Sequence, residues 1–323
     1  VGLQRFISVV IPVHTRRSEL EKNLLALERQ TYPKTRFEVV CVGQNENALP
    51  ESFCRPERFS KTRKNFSFFS IPSRWPDAKR NAGIKKSRGE IVAFTDDDCL
   101  VAEDWLEKIN LAFEQNPKIA GVEGKTVGQS ELLFSHATKN ECGGLYPTCN
   151  MAFQKNALQQ VNGFDERYHF FREDIDLAFA VQKNAGPIVF DDHVVVVHPE
   201  RKTSGLSVLN ELKMFRGDVL LFKKYPAEYK RTFGWLGKGA LKQSFATFFL
   251  LVMFSVFLEL GFPVAALGMV FAWIVFKFFL LMRKKKFSLI EGVLFLIASG
   301  AKDLLAPVYY FKYWLEVNEK EKG

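Results

Sequence analysis

Two rhythms of apolar and polar positions run through the first two hundred residues. FISVVIPV (6–13) and FEVVCV (37–42) are continuous, β-branched runs, the pattern of strands buried on both faces of a parallel sheet. Between them, Leu20, Leu24, Leu25 and Leu27 fall on one helical face of residues 18–30, with Ser18 as an N-cap before Glu19 and Glu21. Together these make one βαβ unit. FSFFSI (66–71) predicts a third strand, residues 77–87 a helix, and GEIVAFTD (89–96) a fourth strand. Another helix is predicted over 105–115, where Trp105, Ile109 and Phe113 recur at four-residue spacing. The alternation predicts an α/β fold: one Rossmann-like domain with a mostly parallel sheet. In such sheets ligands bind beyond the carboxyl ends of the strands. Both the HTRR turn after strand one and the DDD turn after strand four lie at such ends, so one crevice can receive both.

The pattern changes after residue 240. LKQSFATFFLLVMFSVFLEL (241–260) and PVAALGMVFAWIVFKFFLLM (263–282) are mostly apolar on every face and are separated only by Gly261 and Phe262, with Pro263 opening the second. Twenty helical residues cover ~30 Å, the hydrocarbon thickness of a bilayer, so a transmembrane hairpin is expected. RKKK (283–286) follows the second run, while Lys238 and Lys242 precede the first. The positive-inside rule then sets both ends, and the domain before them, in the cytoplasm. The expected location is the cell (plasma) membrane, as a multi-pass protein. A third apolar stretch, 288–311, carries Glu291, Lys302 and Asp303 and either spans or lies against the hairpin. In residues 206–231, Leu206, Leu209, Leu212, Met214 and Phe215 alternate with charges. That segment is either a basic amphipathic helix on a lipid surface or a set of ordinary capping helices. The expected organisation is a catalytic domain over 1–205, an interfacial linker over 206–240, and an α-helical membrane region over 241–323.

Composition narrows the partners. The chain has 323 residues, a formal net charge of +9 and 32 phenylalanines. A basic balance admits nucleic acid, anionic lipid or phosphorylated substrates. Neither a nucleic-acid-binding module nor a zinc-knuckle cysteine spacing occurs, so nucleic acid is set aside. Phenylalanine concentrates toward the carboxyl end, which favours membrane lipids as a partner. The five cysteines, Cys41, Cys54, Cys99, Cys142 and Cys149, are odd in number and form no CxxC pair. They are expected as small side chains in a reducing compartment rather than a disulfide framework. The opening VGLQRFISVVIPV resembles the start of a domain rather than a signal peptide.

Candidate chemistry begins with AFTDDDCL (93–100), where Asp96, Asp97 and Asp98 follow a buried-looking strand. Like charges side by side repel. The cluster either caps the next helix, forms a solvated acidic turn, or holds a divalent cation. Capping accounts for one aspartate, not three, and hard cations take carboxylate oxygens together with substrate phosphates. A second acidic group, Glu173, Asp174 and Asp176 in FREDIDLAF (171–179), falls in the first turn of a predicted helix. Acids favour that position through the helix dipole, and a carboxylate presented there is also a competent general base. In FDDHVVVVHPE (190–200), His193 and His198 flank a strand. His198 becomes a candidate Mn²⁺ ligand if the fold brings it to the DDD turn.

Taken together these segments resemble the family 2 glycosyltransferases, inverting enzymes with a single nucleotide-sugar-binding α/β domain of the GT-A type. SVVIPVHTRRSELEKNLLALERQTYP is similar to that family's opening strand, turn and helix. AKRNAGIKKSRGEIVAFTDDDC is similar to its central segment, in which an RN-x-GI helix leads to an acidic D-x-D motif. CNMAFQKNALQQVNGFDERYHFFREDIDLAFAVQKNAG is similar to its acceptor-side segment, ending in the Glu-Asp pair. The resemblance covers about residues 6–200, with all three segments in order. It implies donor contacts from Pro12, Val13 and Thr15, from Arg80 near the base or phosphates, and from Asp96 at the ribose with Asp97 beside it. It further implies that Asp98, with His198, ligates a divalent cation (Mg²⁺ or Mn²⁺) at the diphosphate. Asp174 is implied as the catalytic base, with Glu173 near the acceptor. The family often carries an acid after its second strand that reads the nucleobase. Here the strand ends CVGQN, leaving Gln44 or Asn45 to hydrogen-bond a base through an amide.

The expectation is therefore a membrane-anchored inverting glycosyltransferase with a nucleotide-sugar donor and a lipid-linked or glycan acceptor. A nucleotidyltransferase also uses an α/β sheet, acids and Mg²⁺, but it needs a glycine-rich phosphate loop where this chain has HTRRSE. A catalytically inactive membrane-bound scaffold is expected to lose Asp98 or Asp174, and both are present.

Overall fold

The computed structural model describes residues 3–45, 65–169, 171–203, 207–234, 240–283 and 285–320. Cys54, Phe170, Leu206, Lys238 and Lys284, which enter the expectations above, lie outside the described residues.

The chain divides into two compact units, one of 1–129 with 137–199, the other of 130–136 with 200–323. In the first, β1 (Ile7–Pro12), β2 (Phe37–Gly43), β3 (Phe66–Ser70) and β4 (Ile91–Phe94) pair in parallel in the order β3-β2-β1-β4. The sheet continues through β8 (Met151–Gln154), β6 (Gly121–Gly128), β9 (Ile188–His198) and β5 (Leu100–Val101), with β8 antiparallel to both neighbours and β9 parallel to β6. The chain leaves β1 toward β2 and returns on β1's other side at β4. That reversal opens a crevice past the carboxyl ends of β1 and β4, where HTRR and DDD begin.

Helices cover both faces. On one, α1 (Arg17–Glu28) and α3 (Trp105–Gln115) pack Leu20, Leu24, Leu27, Trp105 and Phe113 against Ile7, Val9 and Ile11. On the other, α2 (Pro76–Lys86) and α5 (Glu173–Asn184) pack Ile84, Leu177 and Val181 against Val10, Val92 and Phe94. The continuous apolar strands thus reflect burial from two sides. A short helix, α4 (Lys155–Gln160), follows β8. Where α2 crosses β1, a Cβ on Gly83 stands 2.3 Å from Val10 Cγ1. Only glycine lets the helix come this close, and that approach fixes the height of Lys79 and Arg80.

The second unit contains a small hairpin, β7 (Ser135–His136) with β10 (Arg201–Lys202), and six helices among its described residues. These are α6 (Ser207–Asn210), α7 (Phe215–Lys224), α8 (Pro226–Phe233), α9 (Ala240–Glu259), α10 (Pro263–Met282) and α11 (Leu289–Lys320). Among the described residues, no helix is long and apolar enough to cross a membrane. This corrects the expected transmembrane hairpin, the membrane-spanning region and the multi-pass plasma-membrane location. The apolar runs do form α9 and α10, with Gly261 turning the chain at φ +80°. Ionic groups interrupt them: Lys277 of α10 donates to Asp303 of α11 at 2.9 Å, and Thr247 of α9 donates to the same oxygen at 3.2 Å. A carboxylate and an ammonium in mid-helix are costly to hold in hydrocarbon.

Candidate active site

The carboxyl end of β1 is built as a ligand-facing turn. Pro12 and Val13 are buried, and the Val13 amide donates to Val42 O at 2.7 Å, closing the turn on β2. Lys79 of α2, itself buried, donates its Nζ to Val13 O at 2.8 Å. Thr15 Oγ1 lies 3.0 Å from His14 Nδ1, and Thr15 O accepts from the Arg17 amide as α1 begins. Gln44 is exposed one strand over, just past β2.

The three aspartates after β4 have separate partners. Asp96 Oδ1 accepts from Arg80 Nη2 at 2.8 Å, and its carbonyl accepts from Asn23 Nδ2 at 2.7 Å. Asp97 Oδ2 accepts the His14 amide at 2.7 Å, while its Oδ1 accepts Arg16 Nη1 at 3.0 Å. The same Nη1 is 2.9 Å from Asp98 Oδ2. Burial pushes the Asp97 carboxyl up to about 6, against the pull of the His14 amide and Arg16.

At the opposite end of the chain's first unit, β9 delivers His198 to this cluster. Ligand atoms of Asp96, Asp98, Cys99 and His198 all lie within 4.8 Å of one another. His198 Nδ1 is 2.9 Å from Pro199 O. A carbonyl only accepts, so Nδ1 carries the proton and Nε2 keeps its lone pair for a ligand. Metal-binding histidines are commonly oriented in this way, by a hydrogen bond from the other ring nitrogen to a carbonyl. Two carboxylates with one imidazole suit Mg²⁺ or Mn²⁺, so the residues present fit a divalent cation.

Glu173 and Asp174 open α5. Glu173 is buried, with Oε1 3.5 Å from Arg80 Nη1, and Asp174 is half-buried, with Oδ1 accepting the Ile175 amide at 2.8 Å. One buried guanidinium therefore joins the acidic turn to the start of α5. Burial raises both carboxyls; for Asp174, with the Glu173 charge added, it reaches about 7. The loop before the helix holds His169, Phe171 and Arg172 at φ 61°, 79° and 77°. Three side-chain-bearing residues in the left-handed region store strain of the kind found at functional sites. His169 also stacks on Trp75 at 4.9 Å between ring centroids, with Arg74 over the other ring.

Sequence reasoning missed Arg16, Lys79, Cys99 and Asp77. Arg16 and Lys79 sat inside quoted motifs, but their partners are residues 66 or more positions away. Cys99 reads in sequence as a small buried side chain, although it directly follows the acids and falls in the same ligand group. Asp77, at the start of α2, is fully buried, and burial pushes its carboxyl up to about 6. Asp191, Asp192 and His193 lie in mid-β9, where its register with β6 shifts, and His193 therefore lies within the strand rather than at its edge.

Residues 8–186 match the family model for glycosyl transferase family 2. The chain is 36% identical over 104 residues to the glycosyltransferase AglE of Haloferax volcanii, a match covering 32% of this chain and 34% of that one. The chain thus spans about a third of that relative's length, and between 16% and 43% of the other curated relatives it matches. Its fold is similar to that of a mannosyltransferase from Pyrobaculum calidifontis solved with GDP-Man and Mn²⁺. There the TM-score is 0.66 at 16% identity, covering 96% of this chain and 88% of the other. Residues 1–349 of S. aureus TarS, solved with UDP-GlcNAc, align with TM-score 0.50 at 16% identity, covering 98% and 91%. At these identities the structural likeness is one of fold.

Proposed function

The chain belongs to glycosyl transferase family 2, and from that premise we propose that it moves a sugar, with inversion, from a nucleotide-sugar donor to a hydroxyl of a lipid-linked or glycan acceptor. The observation that carries this reading is Arg80, which touches Asp96 of the donor-side turn and Glu173 beside Asp174. A shared guanidinium supports one crevice with a diphosphate end and a base end.

In this reading Asp174 accepts the proton of the acceptor hydroxyl. The oxygen then bonds to the anomeric carbon as the bond from that carbon to the diphosphate oxygen breaks. A carboxyl raised to about 7 is matched to that task near neutral pH. Glu173 orients the acceptor, and Pro12, Val13, Thr15 and Gln44 line the nucleotide. Asp96 faces the ribose and Asp97 holds the turn under the donor. A divalent cation, when bound at Asp98 and His198, offsets the negative charge that develops on the leaving diphosphate.

Lipid as carrier of the acceptor is supported by α9 and α10, where Phe248, Phe249, Leu267 and Phe271 are each more than half exposed. Such apolar side chains in adjacent helices mark a lipid or partner surface. The test supplies a panel of nucleotide sugars with Mn²⁺, Mg²⁺ or EDTA and follows nucleoside diphosphate release. Polyprenyl-linked and soluble glycan acceptors are offered in parallel. The reading expects one donor to be used only with the cation, faster with a lipid-linked acceptor. Absence of turnover with every donor rejects the function, and preference for the soluble glycan rejects the lipid carrier.

A further inference from the structure

Arg16 occupies the position that the reaction needs a cation to share. Its Nη1 is 3.0 Å from Asp97 Oδ1 and 2.9 Å from Asp98 Oδ2, and both carboxylates are nearly inaccessible, while about a third of the Arg16 side chain is exposed. The two contacts are unequal. Asp97 is held from its other oxygen by the His14 amide, which makes it the fixed anchor. Asp98 belongs instead to the group that includes His198.

We infer that Arg16 and a divalent cation compete for Asp98, and that Arg16, once displaced, stays hinged on Asp97 and binds the donor's diphosphate. This rests on the metal reading above. A guanidinium and a dication drawing on one carboxylate repel each other and divide its charge. Arg16 immediately precedes the twelve-residue helix α1. A helix N-terminus favours anions, so a guanidinium turned from Asp98 remains beside a region suited to a diphosphate. Two non-bridging diphosphate oxygens match the guanidinium fork.

The consequence is coupling. Cation alone must break the Arg16–Asp98 contact with nothing to receive the arginine. Cation with diphosphate breaks the contact and repays the loss. Each ligand therefore raises the affinity of the other by the same factor, and the enzyme binds the metal–nucleotide pair far better than the bare metal.

The experiment titrates Mn²⁺ by electron paramagnetic resonance, alone and with UDP or GDP, in the full chain, in Arg16→Gln and in Asp98→Asn. Arg16→Gln is expected to bind Mn²⁺ alone roughly fivefold tighter, the scale of one partly exposed ion pair. It should bind the diphosphate in the presence of Mn²⁺ roughly tenfold more weakly. Arg16→Lys, which keeps the charge but loses the fork, is the second variant should Arg16→Gln fold poorly, and its coupling should also fall. Equal or weaker binding of Mn²⁺ alone in Arg16→Gln, or undiminished coupling in either Arg16 variant, overturns the inference. Asp98→Asn separates this from the underlying reading: wild-type Mn²⁺ binding in that variant rejects the metal site and the competition with it. Loss of Mn²⁺ binding there, with unchanged Arg16 variants, rejects the competition alone.

Discussion

Replacing Asp174 by Asn removes a proton acceptor while keeping its shape, including an oxygen to accept the Ile175 amide. If this carboxylate takes the acceptor's proton, turnover should fall by roughly 10²–10⁴-fold with donor affinity little changed. The same substitution has a second, opposite effect. Burial and the neighbouring Glu173 raise the Asp174 carboxyl from 3.8 to about 7 in the folded chain. The unfolded chain therefore holds that proton less tightly, and stability falls as pH rises from about 4 through about 7. Taken in full, the shift bounds the destabilisation at about 4 kcal/mol by pH 8. Water reaches this half-buried side chain, which brings the expected cost down to about 1–2 kcal/mol. Asparagine carries no charge to desolvate, so the variant should melt a few degrees above wild type at pH 8, with the difference reduced to less than half at pH 5. Diphosphate release from pH 5.5 to 9 should show a rising limb near pH 7 in wild type that is lost in the variant. Retention of more than a tenth of wild-type turnover would refute the base assignment. A melting difference independent of pH would refute the electrostatic account of its environment.

Arg80→Met strands Asp96 and buried Glu173 without their shared cation, and should lower stability by about 3–5 kcal/mol near pH 8; an unchanged denaturant midpoint would mean the pairing contributes little. Gly83→Ala sets a methyl against Val10 and should cost about 1–3 kcal/mol while weakening nucleotide binding through α2, as read by urea melts and nucleotide titration. Asn150 accepts from Trp105 Nε1 and donates to the carbonyls of Lys125 and Val194, so Asn150→Leu should cost about 2–4 kcal/mol, measured by urea unfolding. Chelation with EDTA should weaken UDP or GDP binding by at least about tenfold, reversibly with Mn²⁺, and leave near-ultraviolet circular dichroism intact; equal affinity in EDTA removes the cation from donor recognition.

The parallel half of the sheet was legible because burial on both faces writes itself as unbroken β-branched runs. The other half was not. β6 reads GVEGKTVG, in which Glu123 and Lys125 disguise a core strand. Glu123 is nonetheless buried, because Asn140 and the amides of Gly144, Leu145 and Tyr146 all donate to it. A polar strand satisfied by a distant loop has no hydropathy signal. The same limit produced the membrane error. Lys277 and Asp303 are 26 residues apart, so their pairing is invisible to a local window, and the apolar runs around them looked like spans. At the site, the aspartates, Arg80 and the Glu-Asp pair lay in recognisable segments. Arg16 and Lys79 did not stand out, because what matters about them is the carboxylate or carbonyl that the fold brings to them.

The question raised by three adjacent aspartates has a different answer from the one their spacing suggests. Repulsion among them is met first by the protein's own cations: Arg80 takes Asp96, and Arg16 takes Asp97 and Asp98 together. The cluster is thereby divided by function. Asp96 ties the donor turn to Glu173 through Arg80. Asp97, with both oxygens engaged by residues 14 and 16, fastens the loop after β1 to the loop after β4 and so fixes the floor of the crevice. Asp96 and Asp98 each stand between an internal arginine and the group containing His198. A metal that had to hold all three acids together would be part of the fold, as in small zinc domains. A metal that draws on carboxylates already neutralised by arginines can come and go with the nucleotide. On the proposed reaction, a site of the second kind lets the cation leave with the diphosphate after each turnover.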